Sequence, residues 1–248
     1  MLAGSQLTCR SRKKVFPCVD VARRWRRWRK TDLICSLSHG GCTLIYDKCS
    51  TKRSWTREDY DGGGQSWGVT GWGTHALDQV QCALGTDDTG PVEIWLEEKD
   101  AKGWPRVTMK YASGTLLKLM GERRTMEDLG AIFRGEKGNI EILRGHARAN
   151  PANLLQDAPP DTPGGPGESI PHIANFIECV RTRAKPAADA ETGHRATTIC
   201  HLINICRKVG RKLQWDPHIE KFIGDDEANK LLERPRRAGY ELPTLTSV

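Results

Sequence analysis

The feature that most constrains the fold of this chain is a block of alternating hydrophobic and polar residues between positions 91 and 143. Val92, Ile94 and Leu96 give the clearest example. A period of two is typical of β-strands that bury one face, and short turn sequences separate the segments. The pattern predicts a meander of antiparallel strands and then a hairpin, with strands over residues 91–99, 106–112, 115–120, 131–133 and 139–143.

Hydrophobic residues with helical spacing flank the strand block on both sides. Leu77, Val80 and Leu84 predict a helix over residues 75–84, with Thr74 as its N-cap and Gly85 as its C-cap. Because the strands occupy one block and helices lie at its two ends, we expect an α+β fold. It has an open, mainly antiparallel sheet with helices on one face and no complete Rossmann domain. Later helices are predicted over residues 170–183, 196–209 and 226–233.

Residues 1–53 differ in composition from the rest of the chain. They contain 13 Lys and Arg against 3 Asp and Glu, whereas residues 54–248 have a net charge of −3. No apolar periodicity surrounds this charge. We therefore expect residues 1–53 to be a basic Cys/Trp/Arg-rich segment that is disordered or foreign to the fold, and residues 54–248 to form the folded domain.

The Arg- and Trp-rich run over residues 23–30 leaves an alternative function open. Guanidinium groups pair with phosphates, and indoles stack on bases or lie at a membrane interface. The alternative is a non-enzymatic protein that binds a polyanion or a membrane surface through this segment. Nucleic acid is not an expected partner of residues 54–248, because their net charge is negative.

Metal binding and membrane insertion are not expected. Five cysteines lie in the first fifty positions, but none forms the CxxC pair of a zinc knuckle. No apolar run approaches the ~20 residues of a membrane helix, and the N-terminus carries charges where a signal peptide is apolar. We expect a cytoplasmic protein with no metal and no membrane span.

A glycine motif at residues 71–76 matches the G-x-G-x-x-A pattern of dinucleotide-binding loops. Two observations argue against that interpretation. The preceding residues 65–70 do not form an apolar strand, and the strand that follows the helix continues into a hairpin instead of a βαβ crossover. This motif is therefore not expected to bind a cofactor.

His75 is the first candidate catalytic residue. Asp78 and Gln79 share its side of the predicted helix at i+3 and i+4, and an imidazole oriented by a carboxylate can act as a general acid or base near neutral pH. Chemistry alone favours a role as a helix cap or as a donor to a backbone carbonyl. His194 and His201 lie on one face of a later helix, where the surrounding Arg and Lys residues predict a solvated basic face.

Six separated motifs on the same order of elements resemble one family. They read Gly-Gly-Gly-Gln at 62–65, Trp-Gly-Thr-His-Ala-Leu-Asp-Gln at 72–79, Ala-Leu-Gly at 83–85, His-Ile-Ala-Asn-Phe at 172–176, Glu-Thr-Gly-His-Arg-Ala at 191–196 and Gly-Arg-Lys-Leu-Gln-Trp-Asp-Pro at 210–217. These motifs resemble the C-terminal domain of the Gfo/Idh/MocA family of NAD(P)-dependent oxidoreductases, over residues 54–243.

The resemblance implies the substrate-binding and oligomerisation domain of a sugar or polyol dehydrogenase. Complete family members hold NAD or NADP in an N-terminal Rossmann domain. Residues 1–53 contain neither its glycine-rich loop nor the family's Glu-Lys-Pro lysine. On this resemblance we expect a truncated chain that is inactive alone and binds no cofactor.

The resemblance also implies roles for individual residues. His75 takes the histidine position of the family's D-x-x-x-H pair, which flanks the reacting hydroxyl, whereas Gly71 stands at the aspartate position. Trp72 and Asp78 are expected to bind the substrate, a carbohydrate or polyol-like small molecule. The family's open sheet implies a homo-oligomer that associates through the sheet face carrying Trp95.

Overall fold

The computed structural model describes residues 32–36, 69–97, 106–119, 130–143, 146–156, 169–234 and 236–241. The strands in these ranges are β1 (Asp32–Ser36), β2 (Pro91–Leu96), β3 (Val107–Tyr111), β4 (Leu116–Leu119), β5 (Gly130–Gly135), β6 (Gly138–Leu143), β7 (His146–Asn150), β8 (Leu213–Asp216) and β9 (Lys221–Phe222). The helices are α1 (Val69–Leu84), α2 (Ser169–Thr182), α3 (Ala190–Val209) and α4 (Asp226–Lys230), with a 3-10 turn at Ala152–Leu155.

The strands follow the order β7-β6-β5-β1-β4-β3-β2-β8-β9. Every neighbouring pair is antiparallel except β1 and β4, which are parallel. The predicted meander is confirmed in β2, β3 and β4, and the predicted hairpin is confirmed in β5 and β6. Together with the helices, this order confirms the α+β class with an open, mainly antiparallel sheet.

The core lies between one face of this sheet and the helices α1 and α3. Ile94, Met109 and Leu117 are cross-strand partners in β2, β3 and β4, and each is fully buried. Leu77 of α1 and Ile203 of α3 are also fully buried in the same core. Burial of large aliphatic side chains is the main favourable term in folding, so this layer holds the domain together.

α1 begins six residues earlier than predicted, at Val69 instead of residue 75. The two glycines of the motif indicated a loop, but burial of Val69, which is 2% exposed, extends the helix into the core. Thr74 is therefore an interior helical residue, and its predicted role as N-cap is wrong. Gly85 has a φ of 74°, and its N–H donates to the Gln81 carbonyl over 2.9 Å, so the predicted C-cap is confirmed.

β1 corrects the expected boundary at residue 53. Its five residues lie in the middle of the sheet, where Leu33 is paired with Leu117 of β4 on one side and Phe133 of β5 on the other. The prediction that residues 1–53 are foreign to the fold is wrong for this strand. A strand of five residues beside a run of charge gives too short an alternation to be recognised. The rest of the segment lies outside the described residues.

The sheet also extends beyond residue 143, where the strand block was expected to end. β7 pairs with β6, and its inward positions are Ala147 and Ala149, whose small side chains give a weak hydrophobic signal. Among the later helices, α2 spans residues 169–182, close to the predicted 170–183, and α3 ends before Gly210 as predicted. α3 begins at Ala190, six residues earlier than predicted, and α4 ends at Lys230 instead of residue 233. Gly210 has a φ of 70°, the left-handed conformation that favours glycine at a helix end.

Candidate active site and adjoining groove

The first candidate site lies on α1, which packs against α3. Gly73 lies on the side of α1 that faces α3. A Cβ atom at this position would overlap Val69 Cγ2 and would lie 3.6 Å from Cys200 Sγ of α3. Gly71 and Gly73 are therefore interior residues of a packed helix and do not form a phosphate-binding loop before it. A dinucleotide site needs a glycine-rich loop before a helix N-terminus, and residues 71–76 do not form one.

Gln81 anchors the other end of α1. Its side-chain oxygen accepts a hydrogen bond from the Tyr111 hydroxyl of β3 over 2.8 Å and from the Thr86 hydroxyl over 2.7 Å. Its amide nitrogen donates to the Thr86 and Thr89 carbonyls, each over 2.7 Å. Gln81 is 1% exposed, so these hydrogen bonds lie in a low-dielectric environment that strengthens them. They hold α1 against the sheet. No local sequence pattern predicts this network, because the partners of Gln81 come from a loop and a distant strand.

His75 lies in the second turn of α1 with its side chain exposed, and Asp78 lies three residues later and is half-buried. The favoured alternative of His75 as a helix cap is wrong, because the helix begins at Val69. The side chain of Trp72 lies outside the described residues, although its backbone belongs to α1. The structure thus presents the His75 imidazole at the protein surface, on a helix held by core packing on its other side.

A groove of about 1480 Å³ opens on another side of α3. It is bordered by α3, the turn between β8 and β9, α4 and the chain from residue 231 to 240. His194 and His201 of α3 line it, whereas Cys200, which is close to Gly73 of α1, does not. Successive helical residues are rotated by about 100°, so the groove and α1 occupy different faces of α3.

A chain of polar contacts orients His194 at the edge of this groove. Its Nε2 atom lies 2.7 Å from Glu220 Oε1, and the Arg195 guanidinium lies 2.8 Å from the same oxygen. Arg195 also donates to Glu191 and to the Pro217 carbonyl, each over 2.7 Å. The half-exposed imidazole of His194 is thus oriented by the Glu220 carboxylate, and Arg195 holds that carboxylate in place.

Side-chain hydrogen bonds to the backbone hold the turn that carries Glu220. The Asp216 carboxylate accepts hydrogen bonds from the backbone N–H groups of His218 and Ile219, over 2.8 and 3.3 Å. Glu220 itself has a φ of 53°, a left-handed conformation that costs energy for a residue with a Cβ atom. Asn229 of α4 both donates to and accepts from the backbone of Phe222, over 2.9 and 2.8 Å. These contacts fix two walls of the groove relative to each other.

The prediction of a solvated basic face on α3 is only partly right. Arg207 is 2% exposed, and burial lowers its pKa to about 9, which still leaves the guanidinium charged at neutral pH. Burial also lowers the pKa of His201. α3 is packed against α1, the sheet and α4, so a charge pattern that would be solvated on an isolated helix is largely enclosed here.

The sheet face away from the core carries a charged cluster around Trp95, as the alternation predicted. Glu93 pairs with Lys110 over 3.3 Å and with Lys212, and the Lys212 ammonium lies 5.4 Å from the centre of the Trp95 ring. Hydrogen bonds from Lys212 and Lys110 hold the pKa of Glu93 below its usual value. The Glu97 carboxylate accepts a hydrogen bond from Thr108. Glu97 and Lys110 thus have partners within the chain and do not need one from a second copy.

Comparison with known families identifies this arrangement. Residues 46–242 match the model of the Gfo/Idh/MocA oxidoreductase family's C-terminal alpha/beta domain. The chain belongs to the Gfo/Idh/MocA oxidoreductase family. The resemblance inferred from the six motifs is confirmed, and the match begins upstream of the predicted boundary at residue 53.

Solved structures agree with this assignment at the level of the fold. The chain matches the WlbA dehydrogenase from Bordetella pertussis in complex with NADH and UDP-GlcNAcA, at 14% identity and a TM-score of 0.50, covering 84% of this chain and 63% of that one. It also matches an aldose-aldose oxidoreductase from Caulobacter crescentus complexed with glycerol, at 13% identity and a TM-score of 0.44, covering 83% and 62%. A search among curated proteins finds no significant relative. This Gfo/Idh/MocA chain thus spans somewhat less than two thirds of the length of each of these two proteins.

Neither metal nor membrane features accompany the Gfo/Idh/MocA fold in the described ranges. No cluster of three or more His, Cys, Asp or Glu side chains there is arranged to hold a metal ion. No helix in the same ranges is long and apolar enough to cross a bilayer. The side chains of the five N-terminal cysteines lie outside the described residues.

Proposed function

We propose that this chain forms the substrate-binding and oligomerisation domain of a sugar or polyol dehydrogenase of the Gfo/Idh/MocA family. The family match over residues 46–242 is the observation that carries the proposal. The domain includes β1 and therefore begins before residue 54. A cytoplasmic location is part of the same proposal.

Complete family members use NAD or NADP as their cofactor, but the described residues do not fit a dinucleotide. The only G-x-G-x-x-A motif of these residues is interior to α1, and a Cβ at Gly73 would already overlap Val69. β1 and β2, the described strands before and after α1, run parallel but are not neighbours, because β4 and β3 lie between them. The described strands that flank the motif are therefore not the pair of adjacent parallel strands that forms a dinucleotide crevice. No step of the proposed chemistry is therefore assigned to a cofactor on these residues.

His75 supplies the chemistry in this proposal. Its imidazole is exposed at the α1 surface, where it would accept the proton of a carbohydrate hydroxyl or hydrogen-bond to it. Trp72 and Asp78 would position the sugar beside it. The WlbA dehydrogenase structure, which is complexed with UDP-GlcNAcA, supports a carbohydrate ligand.

Saturation-transfer NMR tests this assignment. We expect the protein to bind at least one of glucose, sorbitol and glucuronate, and we expect His75→Gln to reduce the transfer signal at least five-fold. His218→Gln removes another exposed histidine, on the β8–β9 turn, and is the matched control that should retain the signal. Absence of binding to all three ligands, or equal signals in the His75→Gln and His218→Gln variants, would contradict the proposal.

The oligomer is proposed to form through the sheet face that carries Trp95. Because the charges around Trp95 pair within the chain, the contact would depend on the half-buried indole ring and not on new ion pairs. Light scattering after size exclusion should report a dimer or larger, and Trp95→Asp should convert it to a monomer. A monomeric parent protein, or an oligomer unaffected by Trp95→Asp, would exclude this interface.

A further inference from the structure

The groove beside α3 carries more positive than negative side chains. Five basic Lys and Arg residues line it against three carboxylates. One of those carboxylates, Glu220, already contacts His194 and Arg195, so it compensates little of the groove's own charge. The basic residues are Lys221, Lys230, Arg234, Arg236 and Arg237.

These basic groups have no ion-pair partner within the described part of the chain. Lys221, Lys230, Arg234 and Arg236 form no ion pair with any described residue. The Arg237 guanidinium lies 3.9 Å from the centre of the Tyr240 ring. Stacking on an aromatic ring uses the face of the guanidinium and leaves its N–H groups, which lie in the plane, available to an oxyanion.

We propose that this groove binds the phosphate group of a small molecule. Arginine pairs with phosphate through two parallel hydrogen bonds, and uncompensated positive charge in a concave site raises the local concentration of anions. The oriented His194 would add a hydrogen-bonding group at one edge of the site. The volume of about 1480 Å³ exceeds the roughly 300–1,000 Å³ of ordinary ligand pockets, so it accommodates a phosphate together with the sugar that carries it.

The proposal stands apart from the proposed function. His75 lies on α1 and does not line the groove, so loss of sugar binding at His75 would leave phosphate binding unaffected. Conversely, a groove that binds no phosphate would not affect the family assignment or the proposed sugar site at His75. Two sources share this chemistry, a free phosphate anion and a sugar phosphate, and the experiment separates them.

Calorimetric titrations at constant ionic strength test the site with pyrophosphate, ribose 5-phosphate and ribose. We expect both phosphates to bind and ribose not to bind. Stronger binding of ribose 5-phosphate would assign the site to a sugar phosphate, and stronger binding of pyrophosphate would assign it to the free anion. Arg236→Gln combined with Arg237→Gln should weaken phosphate binding at least ten-fold without changing the thermal midpoint, because both side chains are exposed.

The matched control removes the same charge at the other end of the sheet. Arg134 of β5 and Arg148 of β7 are also exposed, and their strands lie far from β9 in the sheet order. The double change of Arg134→Gln with Arg148→Gln should leave the affinity unchanged. Absence of phosphate binding, or equal weakening in the two double variants, would overturn the proposal. Tighter binding of single-stranded DNA than of either phosphate, lost in the Arg236/Arg237 variant, would assign the groove to nucleic acid and also overturn it.

Discussion

Helices α1 and α2 have the same kind of hydrophobic spacing but opposite surroundings. Leu77 and Val80 of α1 are fully buried, whereas Ile170 and Ile173 of α2 are 67% and 53% exposed. α2 is attached by its other side, where the Asn175 side chain accepts a hydrogen bond from the Ala187 N–H over 2.8 Å. Spacing thus predicts that a helix forms, and only tertiary packing decides whether its apolar face is covered.

The largest expected effect separates the two helices directly. Leu77→Ala should lower the free energy of unfolding by about 2–5 kcal/mol, because it leaves a cavity in a closely packed core. Ile173→Ala on α2 should change it by less than about 0.5 kcal/mol, because the side chain is already exposed. Urea denaturation of the two variants measures both values. Similar losses in both would show that the α2 face is covered in solution.

A smaller effect is expected at the junction between α2 and α3. The Asp189 carboxylate caps α3 by accepting from the Thr192 N–H over 3.1 Å and from its hydroxyl over 3.0 Å, and Lys185 lies 3.3 Å away. Asp189→Ala should cost about 1 kcal/mol of stability. Asp88→Ala, at an exposed loop position, is the control and should cost less than about 0.5 kcal/mol. Equal losses of stability in the two variants would show that Asp189 does not stabilise α3 as an N-cap.

The smallest effect concerns pH. Burial lowers the pKa of His201 below its usual 6.5, so the folded state favours the neutral ring and the unfolded chain binds the proton more readily. Above pH 6.5 the ring is neutral in both states, and burying it carries no penalty for lost charge. As the pH falls from 6.5 towards the folded-state pKa, the unfolded chain takes up the proton first, and the free energy of unfolding decreases. Thermal midpoints at pH 7.5 and 5.5 should differ less in His201→Gln than in the parent protein. An unchanged difference would contradict burial of this ring, and His218→Gln serves as the exposed control.

The sequence predicted best where pattern and packing agree. The alternation at Ile94 and Met109 identified strands that the sheet contains, and Gly85 and Gly210 marked two helix ends correctly. It failed where a short or weak pattern is completed by distant partners. β1 requires β4 and β5 on its two sides, and β7 presents only alanines to the core.

The candidate sites show the same division. Motif reasoning located His75 on a helix and identified the family, but it placed Gly73 in a loop because the contact with α3 was invisible. The pairing of His194 with Glu220 spans 26 residues and depends on a left-handed turn residue. Neither the pair nor the groove beside it has a local sequence signal.

The central claim is that this chain provides the C-terminal domain of the Gfo/Idh/MocA fold, with the residue 71–76 motif used for helix packing and not for dinucleotide binding. Calorimetric titration of the intact protein with NADH and NADPH tests it most directly. We predict no saturable binding of either dinucleotide. A dissociation constant in the micromolar range, about −8 kcal/mol, would contradict the claim.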